Sequence, residues 1–221
     1  MTTKMRRHLG GLLIAGVAFF GFSVAAHAAT YIAPQDYGMW TRGDTGTTHQ
    51  HWDVFTSTTG ATADIANSNS NGNATVSETN GVAMATGSGN IYAMMGNPSF
   101  EIVIPEYDIA GHTTSVLLQI TTLGSEFIPG SVTINDMAPS YSVEFGRETI
   151  PAGPSTADLV DTLFTWNGLT SSDSITIEFD GAIHMSLAQA AVDTNTVPEP
   201  GTAVLMLIGL TGLACRRNRK S

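Results

Sequence analysis

The sequence predicts an all-β fold, an antiparallel jelly-roll-like β-sandwich, on the strength of two observations. Between about Ala29 and Thr196 the chain is rich in Thr, Ser, Val, Ile, Gly and Asn, and poor in the long side chains that favour helices. In the same stretch, segments with period-two alternation or many β-branched residues recur between turns that contain Gly, Asn or Pro. Many short strands at this spacing, without a convincing helix, are typical of a two-sheet sandwich.

Ten segments are predicted as strands. In chain order they are residues 51–59, 81–87, 90–95, 99–105, 114–124, 130–135, 140–150, 161–168, 173–181 and 182–193. The last contains "SLAQAA", which is long enough for one helical turn, but its neighbours favour a strand. The Asn-rich stretch "NSNSNGN", residues 67–73, is predicted to be a long exposed loop.

A targeting segment precedes the sandwich. Three basic residues within 1–8 are followed by an apolar run from Leu9 to Ala26, and Ala26 and Ala28 form an A-x-A site. This pattern predicts a secretory signal peptide over 1–28, cleaved after Ala28, and export by the general secretory route. A permanent N-terminal anchor is the alternative.

A second unusual segment, residues 197–221, ends the chain. It opens with Val197, Pro198, Glu199 and Pro200. Because proline has no backbone N–H, the Pro-Glu-Pro is predicted to be a stiff extended break after a domain over 29–196. The uncharged stretch from Gly201 to Cys215 would rise about 22 Å as a helix, against about 30 Å of hydrocarbon, so it predicts a weak membrane anchor.

The predicted transmembrane helix is followed by positive charge. The helix comprises Ala203, Val204, Leu205, Met206, Leu207, Ile208, Gly209, Leu210, Thr211, Gly212, Leu213 and Ala214, and the basic tail comprises Arg216, Arg217, Arg219 and Lys220. Positive charge beside an apolar segment marks the cytoplasmic side of a membrane. The tail is therefore expected to stay inside while the domain is exported.

The order of these three features resembles the PEP-CTERM sorting signal of Gram-negative bacteria. The resemblance covers about the last 25 residues. It implies processing by an exosortase-type enzyme, anchorage in the inner membrane until processing, and then a place at the cell surface or in the extracellular matrix. The family is associated with exopolysaccharide and biofilm production. A simple tail anchor with an incidental Pro-Glu-Pro is the alternative.

The charge of the chain is concentrated in the predicted domain. Of 9 basic and 19 acidic residues, the stretch 29–196 keeps two basic residues, Arg42 and Arg147, and 18 acidic ones, a formal charge of −16. Such a surface repels nucleic acid and anionic lipid headgroups and attracts divalent cations. The sole cysteine, Cys215, lies in the tail, so the domain has no disulfide, thiolate metal site or cysteine nucleophile.

No cofactor is expected from the sequence, and calcium is the candidate that its motifs leave open. Asn67, Asn69, Asn71 and Gly72, followed by Glu78, have the oxygen and glycine spacing of a calcium-binding loop. The pattern holds a single carboxylate and starts with Asn where strong sites have Asp. A solvated, turn-rich loop is the alternative.

A transition-metal site is a second hypothesis. His49, His51 and Asp53 would share one face of a strand, as metal-binding pairs do. Further ligands would have to come from His112 or His184, which nothing in the sequence brings near. The alternative is a pair of exposed polar residues.

Aromatic residues are candidates for stacking on sugar rings. Tyr37 and Trp40, in "DYGMWTRGD", are predicted to be exposed and are therefore the candidate glycan-binding residues. Trp52 and Trp166 sit within alternating strand patterns, which favours packing in the core.

No catalytic signature is present, so the protein is expected not to be an enzyme. The sequence has no nucleophile elbow, Ser-His-Asp arrangement or phosphate-binding loop. The expected function is that of an exported surface or matrix protein that binds exopolysaccharide or other biofilm components. Two alternatives stay open: a secreted glycan-processing enzyme that uses paired carboxylates, and a purely structural surface protein without a ligand.

Overall fold

The chain folds into strands throughout its central region. A computed structural model describes residues 31–66, 72–106, 109–152 and 155–199, together with Gly201, Leu205 and Ile208. A short 3-10 helix, Pro34–Tyr37, comes first. The strands are β1 (Thr47–Trp52), β2 (Ala61–Thr62), β3 (Ile65–Ala66), β4 (Thr75–Glu78), β5 (Ala83–Ala85), β6 (Ile91–Ala93), β7 (Ser99–Pro105), β8 (His112–Gly124), β9 (Thr133–Ile134), β10 (Tyr141–Ala152), β11 (Ser155–Thr170), β12 (Ser174–Asp180) and β13 (Met185–Pro198).

The strands form two antiparallel sheets, which confirms the predicted β-sandwich. The larger sheet has the order β10-β11-β8-β13-β1-β3, with β6 also paired to β13 and β5 paired to β6. The smaller sheet has the order β2-β4-β7-β12-β9. β13 is the central strand of the larger sheet: β8 lies along one side, and β6 and then β1 lie along the other.

Alternation of side chains explains how the two sheets pack. In β7 the buried residues are Phe100, Ile102 and Ile104, and every residue between them is partly exposed. β12 repeats this pattern, so the smaller sheet has one face in the core and one in solvent. β8 and β13 are instead buried along most of their length, which requires cover on both faces of the larger sheet.

The core lies between the sheets and contains both strand tryptophans, as predicted. Trp52 and Trp166 are almost fully buried, and their indole N–H groups donate to the carbonyl oxygens of Ala61 and Met137 at 2.9 and 3.0 Å. These bonds satisfy the one polar group of each ring in an apolar setting. From the smaller sheet the core receives Val76, Phe100, Ile102, Ile104, Ile134, Ile175, Ile177 and Phe179.

The N-terminal segment, residues 31–42, crosses the outer face of the larger sheet. Gln119, on that face of β8, accepts a hydrogen bond from the Ile32 amide at 2.8 Å and donates one to the Ile32 carbonyl at 2.9 Å. Leu117 and Ala191 are fully buried on the same face and lie outside the core between the sheets. The segment thus supplies the second cover that β8 and β13 need.

Each of the ten predicted segments overlaps a strand, but several boundaries were wrong. The segment predicted over 51–59 shares only residues 51 and 52 with β1. β2, β3 and β4, which have two, two and four residues, were not predicted. Near the C-terminus, β13 continues through Val197 and Pro198, although the sequence predicts that these two residues belong to the tail.

Candidate functional sites

The solvent-facing side of the smaller sheet carries a polar groove of about 310 Å³. Hydroxyl and carboxylate groups dominate its lining. The polar lining residues, here called the carboxylate groove, are Thr79, Ser99, Glu101, Ser131, Thr133, Glu178 and Asp180, and Phe100 and Phe179 complete the lining. The two phenyl rings stack with centroids 5.0 Å apart on the opposite, core-facing side of the same two strands.

Strand register brings the three carboxylates together. Glu101 of β7 lies directly opposite Glu178 of β12, and Ser99 lies opposite Asp180. Side chains at directly opposite positions have Cβ atoms about 5 Å apart, so the two glutamates are neighbours. Ser99 donates a hydrogen bond to the Asp180 carboxylate at 2.7 Å, which fixes the third acid beside them.

The chemistry of the groove favours an uncharged polyol. Carboxylates accept hydrogen bonds, and hydroxyls both donate and accept, so the lining matches the hydroxyl groups of a sugar. No Lys or Arg is among the described residues that line it. An anionic ligand would therefore meet three negative charges and no positive one. This site was not predicted from the sequence, because Glu101 and Glu178 become neighbours only through the register of β7 and β12, which are far apart in the chain.

His49 and His51 do lie side by side on the outer face of the larger sheet, as predicted. The Nε2 of His49 is 3.2 Å from the Nδ1 of His51. His49 Nδ1 is 3.0 Å from the Asp193 carboxylate, without hydrogen-bond geometry, and His51 Nε2 is 3.4 Å from Asp53. Arg42 pairs with both oxygens of Asp193, at 2.6 and 2.8 Å. These five residues are here called the histidine cluster.

The histidine cluster forms a line of pairwise contacts rather than a ring around one point. Among the described residues, no group of three or more His, Cys, Asp or Glu side chains is arranged to hold a metal. His112 lies at the start of β8, and His184 contacts Tyr92. The proposed further ligands therefore do not complete a transition-metal site.

Burial and contacts indicate that the histidine cluster attaches the N-terminal segment. Tyr31 stacks on His51 and donates hydrogen bonds to the Asp53 carboxylate and the Trp52 carbonyl. Burial and the nearby Asp53 raise the pKa of Tyr31 well above its ordinary value. Burial also lowers the pKa of His51, despite the opposing effect of Asp53. The Arg42–Asp193 ion pair attaches the C-terminal end of residues 31–42 to β13.

Glu78, the carboxylate of the calcium hypothesis, accepts hydrogen bonds from backbone N–H groups. Its side chain is buried, and its two oxygens accept the backbone N–H groups of Asn80, Gly81 and Val82 at 3.0 to 3.3 Å. Glu78 thus closes the turn that follows β4, a role that the calcium-loop pattern did not predict. Asn67, Asn69 and Asn71 lie outside the described residues.

The two candidate glycan-binding aromatics differ in exposure. Tyr37 is exposed, as predicted. The prediction for Trp40 was wrong, since its side chain is half-buried and its indole N–H is shielded from solvent. Burial, with the neighbouring Tyr141 and Asp36, raises the pKa of Tyr37. Tyr141 is also exposed.

The C-terminal signal begins inside the sandwich. Val197 and Pro198 are the last residues of β13, and Glu199 follows as an exposed residue. Gly201, Leu205 and Ile208 are helical and exposed. Pro200, the other residues of the predicted transmembrane helix, the basic tail, and Ala26 and Ala28 of the cleavage site lie outside the described residues. Within the described part of the chain, no helix is long and apolar enough to cross a membrane.

Fold and tail together define a class of protein, a β-sandwich domain whose last strand runs directly into a C-terminal sorting segment. Residues 196–220 match the family model of the PEP-CTERM protein-sorting motif. The chain therefore carries this motif, which implies an exported protein that is anchored and then processed by an exosortase-type enzyme. A comparison with curated proteins finds no match to the chain.

Proposed function

We propose that this protein is a non-enzymatic component of the cell surface or extracellular matrix that binds a neutral polysaccharide in the carboxylate groove. The observation that carries the proposal is the row of hydroxyl and carboxylate groups on the exposed face of the smaller sheet. The sorting motif supports a surface destination, where polysaccharide is the abundant polyol. Export by the general secretory route would leave Ala29 as the first residue, which N-terminal sequencing of the protein from its host tests.

Binding is tested with the exported domain on an array of neutral and anionic glycans, followed by calorimetry on the best ligand. Glu101→Gln and Glu178→Gln should each weaken binding about tenfold, because each removes a charge-assisted hydrogen bond. Asp36→Asn is the matched control, since it makes the same charge change in the 3-10 helix, on the other side of the sandwich. Equal affinities for all three variants, or a preference for anionic glycans, would contradict the proposal.

Hydrolysis of a glycan is the second candidate function. The observation that favours it is the cross-strand pairing of Glu101 with Glu178. Retaining glycosidases hold two carboxyl groups about 5 to 5.5 Å apart, which neighbouring cross-strand residues can reach. Release of reducing ends from the host polysaccharide, abolished in Glu178→Gln, would establish hydrolysis. Binding without release supports the non-enzymatic function, and neither binding nor release supports a purely structural surface protein.

A further inference from the structure

The last residues of β13 belong at once to the sandwich and to the sorting motif. Val197 pairs with Thr113 and Pro198 with His112 of β8. The pairing continues one residue further, because the Glu199 amide donates a hydrogen bond of 2.9 Å to the carbonyl oxygen of Gly111. No linker separates the folded domain from Pro-Glu-Pro.

The other side of β13 is also held. On that side, the Thr196 amide donates to the carbonyl oxygen of Gly46 at 2.8 Å. On the β8 side, the hydroxyls of Thr196 and Thr114 are also 2.8 Å apart. The approach at Gly46 is so close that a Cβ atom there would clash with the Thr196 carbonyl oxygen. The backbone hydrogen bonds of Gly46 to Thr196 and of Gly111 to Glu199 are here called the terminal clamp.

Proteases commonly bind the substrate backbone in an extended form, through its N–H and C=O groups, as an added strand. A backbone that is already paired within a sheet cannot offer those groups until it opens. Upstream of Pro198 this opening would break the terminal clamp and the ladder with β8. Val197 and Glu199 nevertheless keep exposed side chains, so the motif can be recognised while the backbone before it is protected.

We propose that the terminal clamp sets the upstream limit of tail processing at Pro198. The cut then falls on the C-terminal side of Pro198, and the released protein keeps the whole of β13. This inference rests on the tail processing that the sorting motif implies.

Limited proteolysis of the full exported chain, purified from membranes in detergent, tests the clamp without the processing enzyme. A protease of broad specificity should remove the tail and stop at Pro198 or later, which the mass of the C-terminal peptide shows. Hydrogen exchange should find the amides of Thr196 and Glu199 protected. Early cuts between residues 186 and 197, or rapid exchange at both amides, would overturn the inference.

Two glycines of one loop provide a matched pair of variants. Gly46→Ala places a methyl group against the Thr196 carbonyl, whereas a Cβ at Gly43 meets nothing within 4 Å, although both residues have a positive φ, +85° and +92°. Cutting upstream of Pro198 should be about fivefold faster in Gly46→Ala, because the variant loses the hydrogen bond between Gly46 and Thr196, and one such bond is worth roughly a factor of five in opening. Gly43→Ala should keep the wild-type pattern.

The possible failures are distinguishable. If Gly46→Ala unfolds, the protease will degrade the whole domain, and hydrogen exchange of the wild-type protein then decides the question. A tail that stays attached in the host would contradict the processing route, and the proteolysis experiment would still test the role of the terminal clamp. A processed protein that ends before Pro198 would contradict the terminal clamp but not the processing route. Equal cutting of the two glycine variants would also contradict the terminal clamp.

Discussion

Replacing Arg42 by Met should destabilise the domain far more than the same change at Arg147. The Asp193 side chain is 0% exposed, and Arg42, 26% exposed, pairs with both of its oxygens. Arg42→Met keeps the apolar stem but leaves a buried carboxylate without its cation. Breaking a buried pair costs about 3 to 5 kcal/mol, and because Arg42 is partly exposed, a loss at the lower end of that range is expected. For a domain of this size, the melting temperature should fall by roughly 6 to 12 °C.

Arg147→Met is the control, because Arg147 contacts three carboxylates, Glu126, Glu144 and Asp158, that are all exposed. Solvent and salt screen such pairs, so a much smaller loss is expected. The assay is urea denaturation of the domain over 29–199, with thermal melts alongside. Asp193→Asn in the Arg42→Met background should recover most of the stability, since it removes the unpaired charge. Equal losses for the two arginine variants, or no recovery, would refute the buried-charge explanation.

Three further predictions concern single side chains. The pKa of His51 is lower in the folded protein than in the unfolded chain. The free energy of unfolding should therefore fall as the pH drops through about 6.5. Thermal melts from pH 7.5 to 5 should show a weaker pH dependence in His51→Gln. Gln50 is fully buried, and both polar atoms of its side-chain amide lack a hydrogen-bond partner. Gln50→Met should therefore raise the free energy of unfolding by about 1 kcal/mol or more. A lower melting temperature of the variant would show that the amide does have a hydrogen-bond partner. Glu78→Gln should lower the free energy of unfolding by about 1 to 3 kcal/mol, because an amide NH₂ cannot accept the Gly81 N–H. Calorimetry with and without calcium should show the same loss, and a calcium-dependent difference would support the calcium site instead.

How far the sequence predicted the fold depended on the length of each pattern. Segments with three or more alternations, such as residues 99–105 and 173–181, were placed within a residue or two of β7 and β12. β2 and β3 have two residues each, and only pairing with a neighbouring strand defines them. The backbone contacts of Glu78 were missed for a related reason: sequence spacing shows which oxygens are near in the chain, whereas the turn after β4 decides which backbone N–H groups the Glu78 carboxylate accepts.

The all-β class, the acidic domain and the C-terminal sorting motif could be predicted from the amino-acid sequence, because composition, charge and a contiguous motif are local properties. Three other features depend on the way the chain folds. Pairing of β7 with β12 placed Glu101 opposite Glu178. The fold of residues 31–42 over the larger sheet brought Arg42 to Asp193, 151 positions away. Pairing of β13 with β8 continued through Pro198, so that the sorting motif starts within the sheet. Each of these depends on contacts between segments that are far apart in the chain. Backbone hydrogen bonds set the strand register, and side-chain contacts such as Gln119 with Ile32 hold the N-terminal segment, so no local sequence pattern predicts either.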